Sequence, residues 1–237
     1  MPFVMRTFLV TGASSGIGRA MAKKLLAMGF RVIGVSRDCS QFKQTHVNFS
    51  TFTLDLSNLK QLPIRMTELL QTQPQLDGVV FAAGVGQFGS LEEFSYAQIE
   101  QLMTLNFTSN ALLTRAVLPS LKRKRHADLI YIGSEAALKG SRKGAIYCAS
   151  KFALRGFTQA LREECAKSQV RVALINPGMV KTPFFDTLNF EPGSDASQYI
   201  TAEDVADTLH YILSSNPNIV LDEINLSPLN KVIKFKP

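Results

Sequence analysis

A tyrosine and a lysine, Tyr147 and Lys151, lie four residues apart in the middle of the chain. On a helix this spacing places both side chains on one face. The unperturbed pKa of tyrosine is about 10, so an isolated phenol is a poor acid or base at neutral pH. A fixed ammonium beside the ring stabilises the phenolate. We therefore predict that Lys151 lowers the pKa of Tyr147 and makes it usable as a general acid/base.

A glycine-rich turn, Thr11–Gly18, is the second chemical signal. Its glycines, Gly12, Gly16 and Gly18, allow a tight turn and a close approach of the backbone to a pyrophosphate. The start of the following helix would add amide donors and the positive end of a dipole. Structural turns use glycine too, but this turn stands between a predicted strand and a predicted helix. In that position it predicts dinucleotide binding.

The end of the second predicted strand bears on the choice between NAD and NADP. An NAD-selective site usually carries an acidic residue there, which binds the ribose 2′-hydroxyl. Here Ser36 takes that place and Arg37 follows. A guanidinium can pair with a 2′-phosphate, so the pair predicts NADP(H), unless Arg37 merely points to solvent. Asp55 could contact the adenine edge or cap a helix that begins near Ser57.

Ser134 follows the fifth predicted strand, and ligands of open α/β sheets bind outside the carboxyl ends of the strands. It could instead be a cap or turn serine, and its place ahead of Tyr147 favours the site. The absence of a G-x-S-x-G motif argues against a serine nucleophile.

Asn106 and Asn110 fall on the buried face of a predicted helix. A buried amide must be hydrogen-bonded, so each has a structural or a functional role.

Apolar, β-branched runs alternate with segments of helical period along the whole chain. We therefore predict an α/β fold of one Rossmann domain, with a doubly wound parallel sheet of about seven strands flanked by helices. The segment 38–49 is weakly helical, which indicates a reduced crossover. The predicted strands are Thr7–Thr11, Phe30–Val35, Ser50–Leu54, Gly78–Ala82, Asp128–Ile132, Val170–Ile175 and Ile219–Leu226, and the predicted helices span about 16–28, 57–72, 95–118, 144–168 and 201–214.

The stretch from 178 to 199 is too long for an ordinary connection, and we predict a mobile lid over the site. Its aromatic residues could line an apolar substrate pocket or pack on the core. Cys148, turned away from Tyr147 on the helix, is interpreted as a packing or interface thiol. The aromatic residues in question are Phe184, Phe185, Phe190 and Tyr199.

The composition is that of one globular domain, with 237 residues, 46% hydrophobic and 19% charged. The sequence shows no apolar run long enough to span a bilayer and no signal-peptide pattern. Three scattered cysteines form neither a disulfide framework nor a zinc motif. Together these features predict a cytoplasmic protein without a metal site.

The formal net charge of +7 raises the question of an anionic partner. The densest basic run, 122–126, follows a predicted helix and contains no aromatic residue. It is better explained as a solvated connection near a helix C-terminus than as a nucleic-acid surface. Lys139, Arg142 and Lys143 lie near the expected mouth of the site, where they could receive an acidic carrier or simply form a solvated loop.

These motifs together resemble the short-chain dehydrogenase/reductase family over essentially the whole chain. One departure concerns Phe81–Gly84, where the family usually has Asn-Asn-Ala-Gly. The missing asparagines put the local sheet bonding in question more than the chemistry. The motifs that carry the resemblance are Thr11–Gly18, Asp55 with Leu56, Ala82–Gly84, Asn106, Ser134, Tyr147 with Lys151, and Asn176–Gly178 with Thr182.

The resemblance implies a hydride transfer between NADP(H) and a small-molecule carbonyl or alcohol, which could be free or carrier-linked. Tyr147 would move the proton and Ser134 would orient the carbonyl. Lys151 would lower the tyrosine pKa and hold the nicotinamide ribose, and Asn106 would position water in a proton relay. The implied cofactor contacts are Gly12, Ser14, Ser15, Gly16, Ile17, Gly18, Ser36, Arg37, Asp55, Leu56, Ala83, Gly84, Tyr147, Lys151, Pro177, Gly178, Val180 and Thr182.

The resemblance also implies a homodimer or homotetramer, packed through the predicted helices 95–118 and 144–168. The competing function is a non-catalytic NADPH-binding sensor or partner-docking module. Four intact site residues, an asparagine, a serine, a tyrosine and a lysine, favour the enzyme. A nucleic-acid-binding role rests only on the basic run 122–126.

Overall fold

The structure, a computed structural model, describes residues 5–40 and 46–236. Seven strands form one parallel sheet in the order β3-β2-β1-β4-β5-β6-β8, and the direction of winding reverses between β1 and β4. The strands are β1 (Thr7–Thr11), β2 (Arg31–Ser36), β3 (Phe49–Thr53), β4 (Leu76–Phe81), β5 (Ala127–Ile132), β6 (Val170–Pro177), β7 (Phe190–Pro192), β8 (Glu223–Leu226) and β9 (Ile233–Phe235). The predicted Rossmann sheet is confirmed.

Helices cover both faces of this sheet. On one face α2, α4 and α5 pack over a core that contains Leu69, Val117 and Leu154. On the other face α1 and α6 pack over a second core that contains Met21 and Leu209. The helices are α1 (Gly16–Ala27), α2 (Leu62–Thr72), α3 (Tyr96–Met103), α4 (Ser109–Leu121), α5 (Ala145–Cys165) and α6 (Ala202–Ser214).

Two predicted helices differ from the structure. The helix predicted at 57–72 begins only at Leu62, where Pro63 occupies its first turn, as proline does readily. The helix predicted at 95–118 is interrupted, because a π-helical turn, Thr104–Thr108, joins α3 to α4. Such turns are frequent at functional sites. The weakly helical segment predicted at 38–49 lies partly outside the described residues, which omit 41–45.

A second, two-stranded sheet was not predicted. β7 pairs antiparallel with β9, and Phe190 lies opposite Phe235. The amide of Lys236 also donates to the carbonyl of Asn189 at 2.9 Å, and the amide of Asn230 donates to the carbonyl of Ser197 at 2.8 Å. The last described segment therefore runs along the predicted lid and binds it. The mobility of that lid stays a prediction.

The basic run 122–126 lies just beyond α4, as predicted. Lys122 donates to the carbonyl of Glu164 near the end of α5 at 3.2 Å, and Lys124 pairs with Asp77 at 3.3 Å. These contacts support a connection in which two of the cations, Lys122 and Lys124, bind neighbouring protein groups.

Across the described ranges 5–40 and 46–236, no helix is both long enough and apolar enough to cross a bilayer.

Candidate active site

The glycine-rich turn leaves the carboxyl end of β1 and leads into α1. Gly12 and Gly16 adopt positive φ angles of 67° and 48°, a region that L side chains rarely enter. A Cβ on Gly18 would lie only 2.3 Å from the carbonyl oxygen of Gly12. Glycine is therefore required here by the backbone itself, and the turn stays open to a ligand that approaches the start of the helix.

The loop after β4 is tied to the end of β1 by a hydroxyl group. Thr11 Oγ1 accepts from the amides of Ala82 and Ala83 at 3.0 and 3.1 Å. The ring of Phe81, where the family usually has asparagine, stacks on Tyr131 at 4.2 Å between centroids. Thr11 thus supplies hydrogen bonds at the place where the missing asparagines put the sheet bonding in question, and the Phe81 ring contributes packing instead.

Ser36 and Arg37 stand beside the glycine-rich turn. Ser36 donates a hydrogen bond to the hydroxyl of Ser14 at 3.0 Å, and Arg37 is exposed. Asp55 accepts from the amide and the hydroxyl of Ser57 at 2.9 and 2.7 Å. These bonds hold the pKa of Asp55 below its usual value, with a smaller contribution from the charge of Arg37. Asp55 does not cap α2, so the capping alternative was wrong.

Tyr147 and Lys151 lie together on α5, and both are buried, with exposures of 7% and 6%. The Lys151 Nζ lies 5.8 Å from the centre of the Tyr147 ring and donates to the carbonyl of Ile132 at 3.1 Å. The i,i+4 arrangement predicted from the sequence is therefore present, with the ammonium held at the end of β5.

Burial sets the protonation of this pair. Burial raises the pKa of Tyr147 to about 12, the hydrogen bond from Ser134 acts in the opposite direction, and Cys148 and Glu135 raise it further. Burial also lowers the pKa of Lys151 to about 8. The predicted lowering of the tyrosine pKa by Lys151 is not found, because desolvation of the phenolate is the largest effect on this pKa and raises it. At neutral pH the phenol keeps its proton.

Ser134 is both a site serine and a cap. Its hydroxyl accepts from the amide of Ala136 at 3.2 Å at the start of a short 3₁₀ turn, and it also bonds Tyr147. The Ser134 amide donates to the side-chain oxygen of Asn176 at 3.3 Å. Asn176 in turn donates to Asn225 on β8 at 3.0 Å. The two readings of Ser134 are therefore compatible, and Asn176 positions it.

The Asn106 side chain is fully engaged in the protein. Its oxygen accepts from the Val85 amide at 2.9 Å, and its nitrogen donates to the Val85 carbonyl at 3.0 Å and to Ser150 at 3.2 Å. Asn110 donates to the backbone carbonyl of Asn106 at 2.9 Å. Asn106 thus links the π-helical turn both to the loop that follows β4 and to helix α5. This is the structural role that the sequence left open. Its water-positioning role stays a prediction.

The residues after β6 complete the crevice. A Cβ built on Gly16 would lie 3.4 Å from the Cβ of Thr182, so Thr182 faces the glycine-rich turn. Thr182 also donates to the carbonyl of Val180 at 3.3 Å. The Gly178 amide donates to the carbonyl of Leu226 at 2.8 Å. Nearby, Lys231 forms an ion pair with Glu135 at 2.6 Å, which brings the segment just before β9 against the crevice.

Aromatic rings cover Tyr147. The ring of Phe88 lies 4.9 Å from that of Tyr147, and the ring of Phe184 lies 6.2 Å from it. Phe190 makes an edge contact with Phe88 at 5.0 Å. Among the predicted lid aromatics, Tyr199 instead lies under the ammonium of Lys181 at 4.6 Å. The sequence did not predict that Phe88 would contact Tyr147, because its loop has no periodic pattern that marks a buried or functional residue.

A cavity of about 480 Å³ opens beside this aromatic cover. Its wall is formed by the loop after β4, by α3 and by residues 187–189 of the predicted lid.

Cys148 is buried and its sulfur lies 3.5 Å from the hydroxyl of Ser141, as expected of a packing thiol.

Residues 6–192 match a family model described as short chain dehydrogenase. A 3-oxoacyl-(acyl-carrier-protein) reductase of Buchnera aphidicola subsp. Schizaphis graminum is 30% identical over 230 residues, which cover 93% of this chain and 94% of that protein. An NADP-dependent 3-hydroxy acid dehydrogenase of Schizosaccharomyces pombe is 28% identical, with coverage of 94% and 92%. The crystal structure of a metagenomic short-chain oxidoreductase in complex with NADP aligns with a TM-score of 0.80 at 30% identity, with coverage of 95% and 98%. This chain belongs to the short-chain dehydrogenase family of oxidoreductases.

Proposed function

We propose that this protein is an NADP(H)-dependent oxidoreductase that interconverts a carbonyl compound and its alcohol, with Tyr147 as the general acid/base. The proposal rests mainly on one observation: the glycine-rich turn and the Ser134–Tyr147 pair lie at the same edge of the sheet. Thr182, which follows β6, faces the glycine-rich turn at Gly16. Ser134 and Tyr147 share a hydrogen bond at the end of β5. A bound dinucleotide can therefore reach the proton donor.

The residues present fit a nicotinamide dinucleotide. The turn has no room for side chains at Gly12 or Gly18, where a Cβ would lie 3.0 and 2.3 Å from backbone atoms. That bare backbone ahead of the α1 N-terminus suits a pyrophosphate. Arg37 is exposed next to Ser36, which suits a 2′-phosphate. The NADP-bound metagenomic structure and the NADP-dependent relative from Schizosaccharomyces pombe support the same preference.

The nicotinamide, when bound, supplies the hydride acceptor or donor. Ser134 and Tyr147 would orient the substrate carbonyl by hydrogen bonds to its oxygen. In reduction, the Tyr147 hydroxyl gives its proton to that oxygen as the alcohol forms. The Lys151 ammonium, 5.8 Å from the ring centre, then stabilises the phenolate left behind. In oxidation the same proton moves in the reverse direction.

Cofactor oxidation with a panel of ketones and aldehydes tests the proposal, with NADPH and NADH measured in parallel. We expect turnover with a preference for NADPH. Tight NADPH binding without turnover of any compound would instead support the alternative, a sensor or docking module. The panel includes 3-oxoacyl thioesters, diketones, pterins, sugars and 3-oxo acids.

A carrier-linked substrate is the second candidate. Lys139, Arg142 and Lys143 are exposed between Ser134 and Tyr147, and one relative is a reductase of substrates on acyl carrier protein. The Lys143 carbonyl accepts from the amide of Gly89, so these cations lie beside the loop after β4. If a carrier binds there, activity on a carrier-linked ketone falls steeply with salt, while activity on a free ketone does not. Equal salt responses would contradict it.

We also propose a homodimer or homotetramer packed through α3, α4 and α5. Phe152 on α5 is 43% exposed and Tyr96 on α3 is 94% exposed, and apolar surface of this kind is commonly covered by a partner. Light scattering behind size exclusion measures the assembly. A monomer at micromolar concentration would contradict this proposal.

A further inference from the structure

The cavity beside the aromatic cover has a wall of mixed chemistry. Its apolar part comes from Phe88, Leu102 and Leu188. Its polar part comes mainly from three side-chain amides, on Gln87, Gln101 and Asn189, together with the hydroxyl of Thr187. Gln101, Thr187 and Asn189 are exposed at its mouth. The volume, about 480 Å³, falls within the range of small-molecule sites.

The cavity lies one aromatic ring away from the proton donor. The Phe88 ring belongs to its wall and lies 4.9 Å from the Tyr147 ring. A substrate whose carbonyl oxygen meets Tyr147 would therefore extend its remote end past Phe88 into the cavity. In that pose the cavity contacts the part of the substrate that does not react.

The three amides are free to bind a ligand. Within ranges 5–40 and 46–236, the side chains of Gln87, Gln101 and Asn189 make no hydrogen bond to another protein group. Each offers donors and an acceptor, so together they match a group that both donates and accepts. The described wall carries no charged side chain. Its charged neighbours along the chain, Glu100 and Asp186, are both acidic and exposed. The ammonium of Lys236 lies beside the lid part of the wall, but it donates to the backbone carbonyls of Phe185 and Asp186.

A carboxylate placed in this cavity would lose part of its hydration without gaining a cation from the residues of the wall. That loss is costly, whereas an amide or hydroxyl regains its hydrogen bonds from the wall. We infer that this cavity binds the remote end of the substrate and selects an uncharged hydrogen-bonding group, such as a carboxamide or hydroxyl, over a carboxylate. The inference rests on the proposed function, because it concerns the specificity of the same site.

A matched pair of aryl ketones, identical except for a remote carboxamide or carboxylate, tests the inference. We expect kcat/KM of the wild-type protein to favour the carboxamide by about tenfold or more. Gln101→Lys puts a cation into the wall and should move the ratio toward the carboxylate by about tenfold. Gln71→Lys adds the same charge on the exposed face of α2, outside the wall, and should leave the ratio unchanged.

Binding constants keep the inference testable if no ketone is reduced. The same two compounds are titrated into the NADPH-loaded Tyr147→Phe variant, and the carboxamide should bind more tightly by a similar ratio. Equal binding of both compounds, tighter binding of the carboxylate, or equal shifts in Gln101→Lys and Gln71→Lys would overturn the inference. Absence of turnover with every ketone would count against the proposed function and leave the binding ratio to decide this point.

Discussion

The two ends of the crevice are built by different means. At the proposed cofactor end, the glycine-rich turn, the shape comes from the backbone, with Gly12 and Gly18 packed so closely that a methyl group would collide. At the proposed substrate end, around Tyr147, the shape comes from the side-chain rings of Phe88, Phe184 and Phe190. A backbone-built site tolerates few substitutions and binds one ligand class, whereas a side-chain-built site can change specificity by single replacements.

Tyr147→Phe is expected to have the largest effect. The change removes the proton donor but keeps the ring in its aromatic surroundings, so kcat should fall by about 10²–10⁴. NADPH binding, measured by fluorescence titration, should be unchanged, because the loss is confined to the chemical step. Retention of substantial activity would contradict the role of Tyr147.

Gly18→Ala should damage the cofactor end. The new methyl group would lie 2.3 Å from the Gly12 carbonyl oxygen, so the turn must distort and NADPH should bind about 100-fold more weakly. Gly156→Ala is the matched control, because a Cβ at this helical position meets nothing within 4 Å. That variant should be more stable by about 0.5–1 kcal/mol and bind NADPH normally. Similar losses in both variants would remove the contrast between the two ends.

Arg37→Ala tests the choice of cofactor. Loss of one charge-assisted contact should raise KM for NADPH by about tenfold and leave KM for NADH unchanged. Arg31→Ala removes an exposed arginine at the other end of β2 and serves as the control. Equal changes for both cofactors, or none for NADPH, would show that Arg37 points to solvent.

Removal of β9 tests how far the substrate end depends on its support. A chain shortened after residue 229 loses the pairing with β7 and the ion pair of Lys231 with Glu135. We expect KM for the ketone to rise by about three- to tenfold, with faster proteolysis within 178–199 and unchanged NADPH affinity. Unchanged proteolysis would show that the lid holds its position without β9.

The pH profile is expected to give the smallest effect. Because the pKa of Lys151 lies at about 8, kcat/KM for reduction should fall severalfold as the pH rises through that value and the ammonium is lost. Tyr147, with a pKa of about 12, stays protonated over this range. The same shift makes folding stability rise with pH between about 8 and 10.5, since the unfolded chain binds more protons there. A flat kcat/KM profile to pH 9.5 would contradict this assignment.

The sequence predicted the glycine-rich turn and the helical placement of Tyr147 and Lys151 better than the aromatic cover over Tyr147, for a physical reason. The glycine-rich turn and the Tyr147–Lys151 pair are local, so spacing along the chain carries their geometry. The cover over Tyr147 depends on Phe88 and on a strand pairing between residues 190 and 235. Short strands paired over such a distance leave no periodic signal. The pKa of Tyr147 was misjudged likewise, because its burial arises from those distant contacts.

The ion pair between Lys231 and Glu135 joins residues 96 positions apart. During synthesis, the glycine-rich turn, Ser134 and Tyr147 have all left the ribosome well before β9 exists. The nascent protein can therefore form the glycine-rich turn and the region of Ser134 and Tyr147 before β9 is available to support the cover over Tyr147. The order of synthesis thus separates formation of the proposed dinucleotide site from completion of the cover over Tyr147.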